Sequence, residues 1–228
     1  MEIVEAHNHI VDAVSFRKDL ISWGQKHFRS FPWRYTINPY HILVAEIMLH
    51  RTQAPQVAPI YEQFIQRYPD IQSLSQATRE ELHDVLYSLG LRWRIDLIMD
   101  MVKQINEQFG GQIAQEKQQL LSLPGVSDYV ASAVRCFAWN LPDPIVDTNT
   151  VRVIGRVFNL EIKDSSRRNS LFRSLIASLV DAGQPRIYNF ALLDLAALIC
   201  TKSKPPLCSE CPVQKYCLYS SKTGVTTL

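Results

Sequence analysis

The stretch LSLPGVSDYVASAVRCFAWNLPDPIVDTNTVRV, residues 121–153, restricts the fold of this chain more than any other segment. LPGVS stops one helical run with a Pro and a Gly, then restarts the chain in a second run where Val130, Ala133, Val134 and Phe137 recur at helical spacing. The segment therefore reads as helix, tight hairpin, helix. Such a hairpin aims backbone N–H groups outward at a helix start, where unpaired donors and the macrodipole both favour an anion such as a phosphate. Further on, Asp147 in VDTNTVRV stands at what reads as another helix start. A phosphate grip and a lone carboxylate so close in sequence suggest chemistry on a nucleotide.

A second constraint comes from cysteine. Four of the five, Cys200, Cys208, Cys211 and Cys217, fall in the spacing C-x7-C-x2-C-x5-C near the C-terminus, while Cys136 stands alone in a helical pattern as a small buried hydrophobe. The N-terminal MEIVEAHNHIVDAV lacks the basic start and apolar core of a signal peptide, and no run of about 18 apolar residues occurs, so a soluble intracellular protein is expected. In that compartment a four-cysteine cluster is a metal-site signature rather than a disulfide framework. Four thiolates suit either a [4Fe–4S] cluster or zinc, and spacing alone does not choose.

Composition narrows the partners. A chain of 228 residues can bury one good core or two small ones. Its net charge is only +2, so any affinity for nucleic acid has to come from local patches. Nothing in the sequence demands more than a monomer, and no membrane partner is expected.

Along the chain the apolar pattern is helical throughout, which predicts an all-α fold. Residues 8–28 read as a helix, FPWRYTINPY breaks it, and YHILVAEIMLHRTQ follows as a helix apolar almost all round, a core element. Glu46 sits in its middle with no Lys or Arg three or four residues away on the same helix. It is either a glutamate at the edge of the buried face or a partly desolvated carboxyl able to exchange a proton near neutral pH. Asp147 has the ordinary job of a helix N-cap open to it, and Tyr129 that of a helix aromatic packing on Val126 and Ala133. Arg152 and Arg156 share one helix face, and RIYNFALLDLAALIC is an apolar helix leading into the cysteines.

LPGVS, VDTNTVRV and the cysteine cluster together resemble the helix-hairpin-helix DNA glycosylases of the endonuclease III and MutY group. The resemblance runs from FPWR to the last cysteine. It implies two helical domains: a six-helix domain over residues 31–141 that carries the hairpin, and an iron–sulfur domain from residues 1–30 plus 142–228. The active-site cleft of the family lies between them. AEIMLHRTQ is similar to the segment that carries a catalytic glutamate there, which assigns Glu46 to protons or water. Asp147 matches the aspartate that stabilises positive charge at C1′ as the glycosidic bond stretches. Arg51 falls where the family places a side chain that fills the gap left by the extruded base, and Trp93, in LGLRWRID, where a wedge enters the duplex. Gly125, Val126 and Ser127 match the phosphate-gripping hairpin. The loop lysines Lys202 and Lys204 fall where the family contacts phosphate. The flanking DLAALIC and CSECP favour a [4Fe–4S] cluster on Cys200, Cys208, Cys211 and Cys217 over zinc, although the first cysteine loop is one residue longer than the family's.

Two departures bear on activity. Ser127 replaces the second glycine of the family's GVG and takes φ > 0 less cheaply, and Asp128 adds a negative charge beside it, so a weaker phosphate grip is expected. Tyr129 occupies the place of the lysine that forms a Schiff base in the strand-cleaving members, and a phenol forms no imine. That tyrosine, shared with archaeal thymine mismatch glycosylases, and the lack of MutY's lesion-checking domain imply a monofunctional enzyme. Its expected substrate is double-stranded DNA with thymine or uracil mispaired with guanine, and its expected place is the cytoplasm, at a prokaryotic nucleoid. A MutY-type adenine glycosylase and a non-catalytic DNA-binding iron–sulfur protein remain the alternatives.

Overall fold

A computed structural model describes residues 13–90 and 94–222. Among these residues the chain forms α-helices and short 3-10 turns and no strand, as the apolar periodicity predicts. None of the described helices is long and apolar enough to cross a membrane. The chain divides into two compact units, one contiguous (Ser30–Asn140) and one split (Met1–Arg29 with Leu141–Leu228).

Helix α1, Ala13–Lys26, belongs to the split unit and buries Phe16, Leu20, Ile21 and Gly24 along one stripe. The contiguous unit begins with α2, Pro39–Leu49. Asn38 caps it by accepting the N–H groups of Tyr40 and His41, and Pro39 supplies a first residue whose missing N–H costs nothing there. Helices α3 (Ala54–Arg67), α4 (Ile71–Ser75), α5 (Arg79–Leu86) and α6 (Ile95–Phe109) follow. Asp70 and Thr78 each form a capping box at the starts of α4 and α5. The short α7, Lys117–Leu121, leads through the hairpin into α8, Asp128–Trp139. Seven of the eleven residues of α2 are buried, Glu46 among them, because α3 and above all α8 pack against it. The all-round apolarity of α2 is thus that of a central helix.

The split unit resumes with α9 (Thr148–Val157), α10 (Ser170–Leu179), α11 (Pro185–Leu198) and the short α12 (Leu218–Lys222). Its core gathers Phe16 and Leu20 of α1 with Val153 and Ile154 of α9, Leu175 of α10 and Leu192 of α11. Each such side chain contributes on the order of 2 kcal/mol by leaving water. The tightest approach is between α1 and α11, where a Cβ placed on Gly24 would overlap Ala191 Cβ and lie 2.9 Å from its Cα. At the end of α11's partner, Arg29 donates Nε to Oδ1 of the fully buried Asp194 at 2.5 Å. That charge is buried because it is paired.

Candidate active site

Glu46 is 4% exposed, so its carboxyl has lost most of the water that would hydrate a charge. It faces a cavity of about 80 Å³ inside the contiguous unit, shared with His50 at the end of α2, Arg94 just before α6, Met101 within it, Gly125 of the hairpin and Val130 of α8. A space of that size next to polar groups holds several waters. Arg94 is as buried as Glu46, at 4%. Its Nη1 donates to Ile47 C=O at 2.5 Å, and its Nη2 to His50 C=O at 2.7 Å and to His50 Nδ1 at 2.5 Å. Since Arg offers only donors, Nδ1 accepts and the imidazole proton is on Nε2. Burial, with the charge of Arg51 adding to it, holds the Arg94 guanidinium below its usual value.

The hairpin departs from one expectation. Its left-handed residue is Gly125, at φ 77°, whereas Ser127 is extended, at φ −85° and ψ 169°, and caps α8 by accepting the Val130 N–H. A serine at this position costs no backbone strain, so its presence does not weaken the hairpin. Asp128 is paired with Lys117 Nζ at 3.0 Å, which offsets its negative charge. Val126 is buried and its N–H donates to Leu123 C=O at 3.1 Å, closing the turn. The N–H groups of Gly125 and Ser127 donate to no other group among the described residues. These two, not Val126, are the hairpin's outward donors. Tyr129 lies half-buried in the first turn of α8 and is not part of the Glu46 cavity wall.

In the split unit Asp147 does cap α9. Its Oδ1 accepts the N–H groups of Asn149 at 2.8 Å and Thr150 at 2.7 Å, and its Oδ2 accepts Asn149 Nδ2 at 2.7 Å. Thr150 returns a contact to the Asp147 N–H, completing a capping box. The half-buried carboxylate is thereby fixed in one orientation. Asn149 Oδ1 in turn accepts Arg152 Nη1 at 3.0 Å, and Arg152 is anchored on the carbonyls of Ala196 and Cys200, each at 2.9 Å.

Cys200, Cys208, Cys211 and Cys217 line one small cavity together with Arg156 and Tyr219. Arg156 Nη1 donates to Cys200 Sγ at 3.1 Å and to Thr201 C=O at 2.9 Å, and its guanidinium lies over the Tyr219 ring. Both arginines of the shared α9 face therefore serve the cysteine segment. Burial pushes the Cys211 thiol up to about 12 and also raises Cys208 and Cys217. Such thiols keep their protons in the absence of a metal and lose them on binding one. Among the described residues, no three His, Cys, Asp or Glu side chains converge as a single metal ion requires. Lys202 and Lys204 are exposed in the loop after Cys200, where Thr201 Oγ1 donates to Lys204 C=O at 3.0 Å.

Arg51 is exposed and left-handed, at φ 65°. Trp93 lies outside the described residues. Sequence reasoning missed three contributors: His50, Arg94 and Asn149. Asn149 was signalled by its place two residues after a capping Asp, from which its amide can fold back. Arg94 carried no signal beyond an arginine at the start of an apolar helix.

A model of the HhH-GPD superfamily base excision DNA repair protein matches residues 44–177. A thymine-DNA glycosylase of Aeropyrum pernix is 36% identical over 90% of this chain and 94% of its own. A thymine/uracil-DNA glycosylase of Pyrobaculum aerophilum is 38% identical over 93% and 94%. Among solved structures, that of a thermostable thymine-DNA glycosylase superposes with a TM-score of 0.84 at 31% identity, covering 91% of this chain and 95% of the other. With a family match over more than half its length and full-length relatives of this kind, the chain belongs to the HhH-GPD superfamily of base excision DNA repair proteins.

Proposed function

We propose that this protein is a monofunctional glycosylase that hydrolyses the N-glycosidic bond of thymine or uracil mispaired with guanine in double-stranded DNA, acting as a monomer. The observation that carries this reading is the full-length similarity to thymine/uracil-DNA glycosylases, at 38% identity over 93% of the chain. Tyr129 in place of an amine nucleophile supports hydrolysis without strand cleavage.

In the proposed reaction the base is first flipped out of the duplex, which a mismatch makes cheaper. The bond between C1′ and the base N1 then breaks with its electron pair leaving on the base. Positive charge grows on C1′, and the Asp147 carboxylate, held in place by three hydrogen bonds, stabilises it electrostatically. Water adds its hydroxyl to C1′ and its proton ends on the departing base. Glu46, buried beside a cavity roomy enough for several waters, handles that proton or the water that carries it. Tyr129 shapes the base pocket. Arg51 faces the base left behind, its planar donor fork suited to guanine. Gly125, Val126 and Ser127 form the hairpin grip, through the N–H groups of the first and last, and Lys202 and Lys204 add phosphate contacts. Trp93 is the proposed wedge.

Cys200, Cys208, Cys211 and Cys217 would hold a [4Fe–4S] cluster. Four thiols around one cavity supply the all-sulfur donor set, one sulfur per iron, that such a cluster takes. The cluster would brace the loop that carries Lys202 and Lys204, and no step of the hydrolysis runs through it.

The test is single-turnover incubation with end-labelled duplexes containing T·G, U·G, A·G or A·8-oxoguanine pairs, with and without hot alkali. Breakage of the thymine or uracil strand only after alkali is the expected result. Breakage of the adenine strand would replace this reading with a MutY-type one, and breakage without alkali would restore a lyase.

A further inference from the structure

We infer that Arg94 is a positioning residue for opposite-base reading: by bracing the turn at the end of α2, it holds Arg51 in the conformation that presents its guanidinium. The inference deepens the role proposed for Arg51 and rests on that reading.

The turn has an unusual sequence for its shape. Thr52 N–H donates to Leu49 C=O at 3.2 Å, His50 lies at φ −66° and ψ 110°, and Arg51 follows at φ 65°. These are the angles of a type II turn, whose third position demands φ > 0 and is ordinarily Gly or Asn. Among the described residues, every other positive-φ position is in fact Gly or Asn. An arginine there carries a strain of about 1–2 kcal/mol. Such a residue stays left-handed only where its surroundings over-determine it.

The alternative is close at hand. Rotating the His50–Arg51 peptide by roughly half a turn would convert type II to type I and return Arg51 to negative φ. That rotation would swing the His50 carbonyl away. Arg94 Nη2 holds this same carbonyl at 2.7 Å while its Nη1 is anchored on Ile47 C=O one turn earlier, so a flip of the peptide strips the His50 carbonyl bond from a 4% exposed guanidinium that stays fixed in place. The bond from Nη2 to His50 Nδ1 fixes the residue on the other side of the same peptide. Arg94 is also close enough to Arg51 for their charges to interact. Like charges repel, so the buried guanidinium favours an Arg51 side chain directed outward, where it is exposed. Strain, brace and repulsion together give an exposed guanidinium on a rigid support.

The experiment separates binding preference from chemistry. Fluorescence anisotropy measures affinity for duplexes carrying a stable abasic-site analogue opposite guanine or opposite adenine, and single-turnover excision is followed in parallel. Wild-type protein is expected to prefer guanine, and Arg51→Ala to lose about tenfold of that preference. Arg94→Met is expected to lose the same preference although it removes no DNA-facing group, and the double variant no more than either single one. Arg94→Lys, which keeps the charge and some of the donors, is expected to restore part of it and keeps the test open if Arg94→Met does not fold. Equal weakening on both duplexes in the Arg94 variants, independent losses that multiply in the double variant, or no guanine preference in the wild type would each overturn the inference. A wild type that prefers guanine yet excises neither thymine nor uracil would instead sink the proposed reaction and leave the bracing role supported.

Discussion

Asn149 donates its side-chain amide to Asp147 Oδ2 at 2.7 Å, so the carboxylate proposed to face C1′ is held by a neighbour two residues along its own helix. Asn149 is itself held, through Oδ1, by Arg152 at 3.0 Å. Asn149→Ala removes the side-chain bond to Oδ2 but not the backbone bonds to Oδ1, and the carboxylate gains rotational freedom. One hydrogen bond to a charged group is worth about 1.5 kcal/mol, or roughly tenfold in rate. The expected outcome is a single-turnover excision rate lower by about that factor with duplex affinity unchanged. A loss of affinity without a loss of rate would contradict the positioning role.

Asp147→Asn tests the charge apart from the cap. Asn caps helices about as well as Asp, so α9 should keep its start and the melting temperature should change little. The negative charge that opposes the oxocarbenium is removed, and the excision rate is expected to fall by at least about a hundredfold. Thermal melting and single-turnover kinetics on the same preparation check both halves. An unchanged rate would revive the reading of the chain as a DNA binder without catalysis.

Local rules made much of this molecule legible in its sequence. The helices follow their apolar spacing, and Asp147 is the cap that its position before a helical run suggests. What stayed hidden depends on contacts across sequence. Arg94 reaches carbonyls more than forty residues earlier, and nothing in the sequence around it marks this arginine as turned inward. The left-handed state of Arg51 is hidden for the same reason, since its own residue type argues against it. Ser127 misled in the opposite direction: a glycine in related sequences suggested a positive φ, but the backbone there is extended and needs none.

Gly24 predicts where the split unit tolerates no growth. A methyl group at this position would meet Ala191 backbone as well as its Cβ, and helix axes cannot separate without opening the core around Leu20 and Leu192. Gly24→Ala is expected to destabilise the protein by about 1–3 kcal/mol despite its better helix propensity. Urea unfolding checks the sign. Stabilisation would mean that the two helices pack less closely than described.

Alkaline pH should act on the contiguous unit through Tyr61. Its phenol is buried against Trp33, and burial pushes it up from 10 to about 12. The folded state therefore binds the phenolic proton more tightly than the unfolded chain does. Below about pH 10 both forms are protonated and the contribution is complete; between about 10 and 12 it is lost by roughly 1.4 kcal/mol per pH unit. Tyr61→Phe cannot ionise. Its stability relative to wild type, from urea midpoints at pH 8 and pH 11, is expected to rise by about 1 kcal/mol at the higher pH. An unchanged difference would mean that Tyr61 titrates as if exposed.

Stoichiometry distinguishes a cluster from a single ion at the four cysteines. A [4Fe–4S] group gives about four irons and four acid-labile sulfides per chain, and zinc gives one metal and no sulfide. Protein purified without air is expected to show the first pattern. Cys208→Ser removes one ligand and should release iron. The loss should then spread to the loop bearing Lys202 and Lys204, since Cys200 and Cys208 bound it on either side. Weaker duplex binding with a flatter dependence on salt is the expected consequence, because fewer phosphates are then neutralised. Full iron and sulfide content in Cys208→Ser would remove this thiol from the ligand set, while one zinc per wild-type chain would replace the cluster altogether.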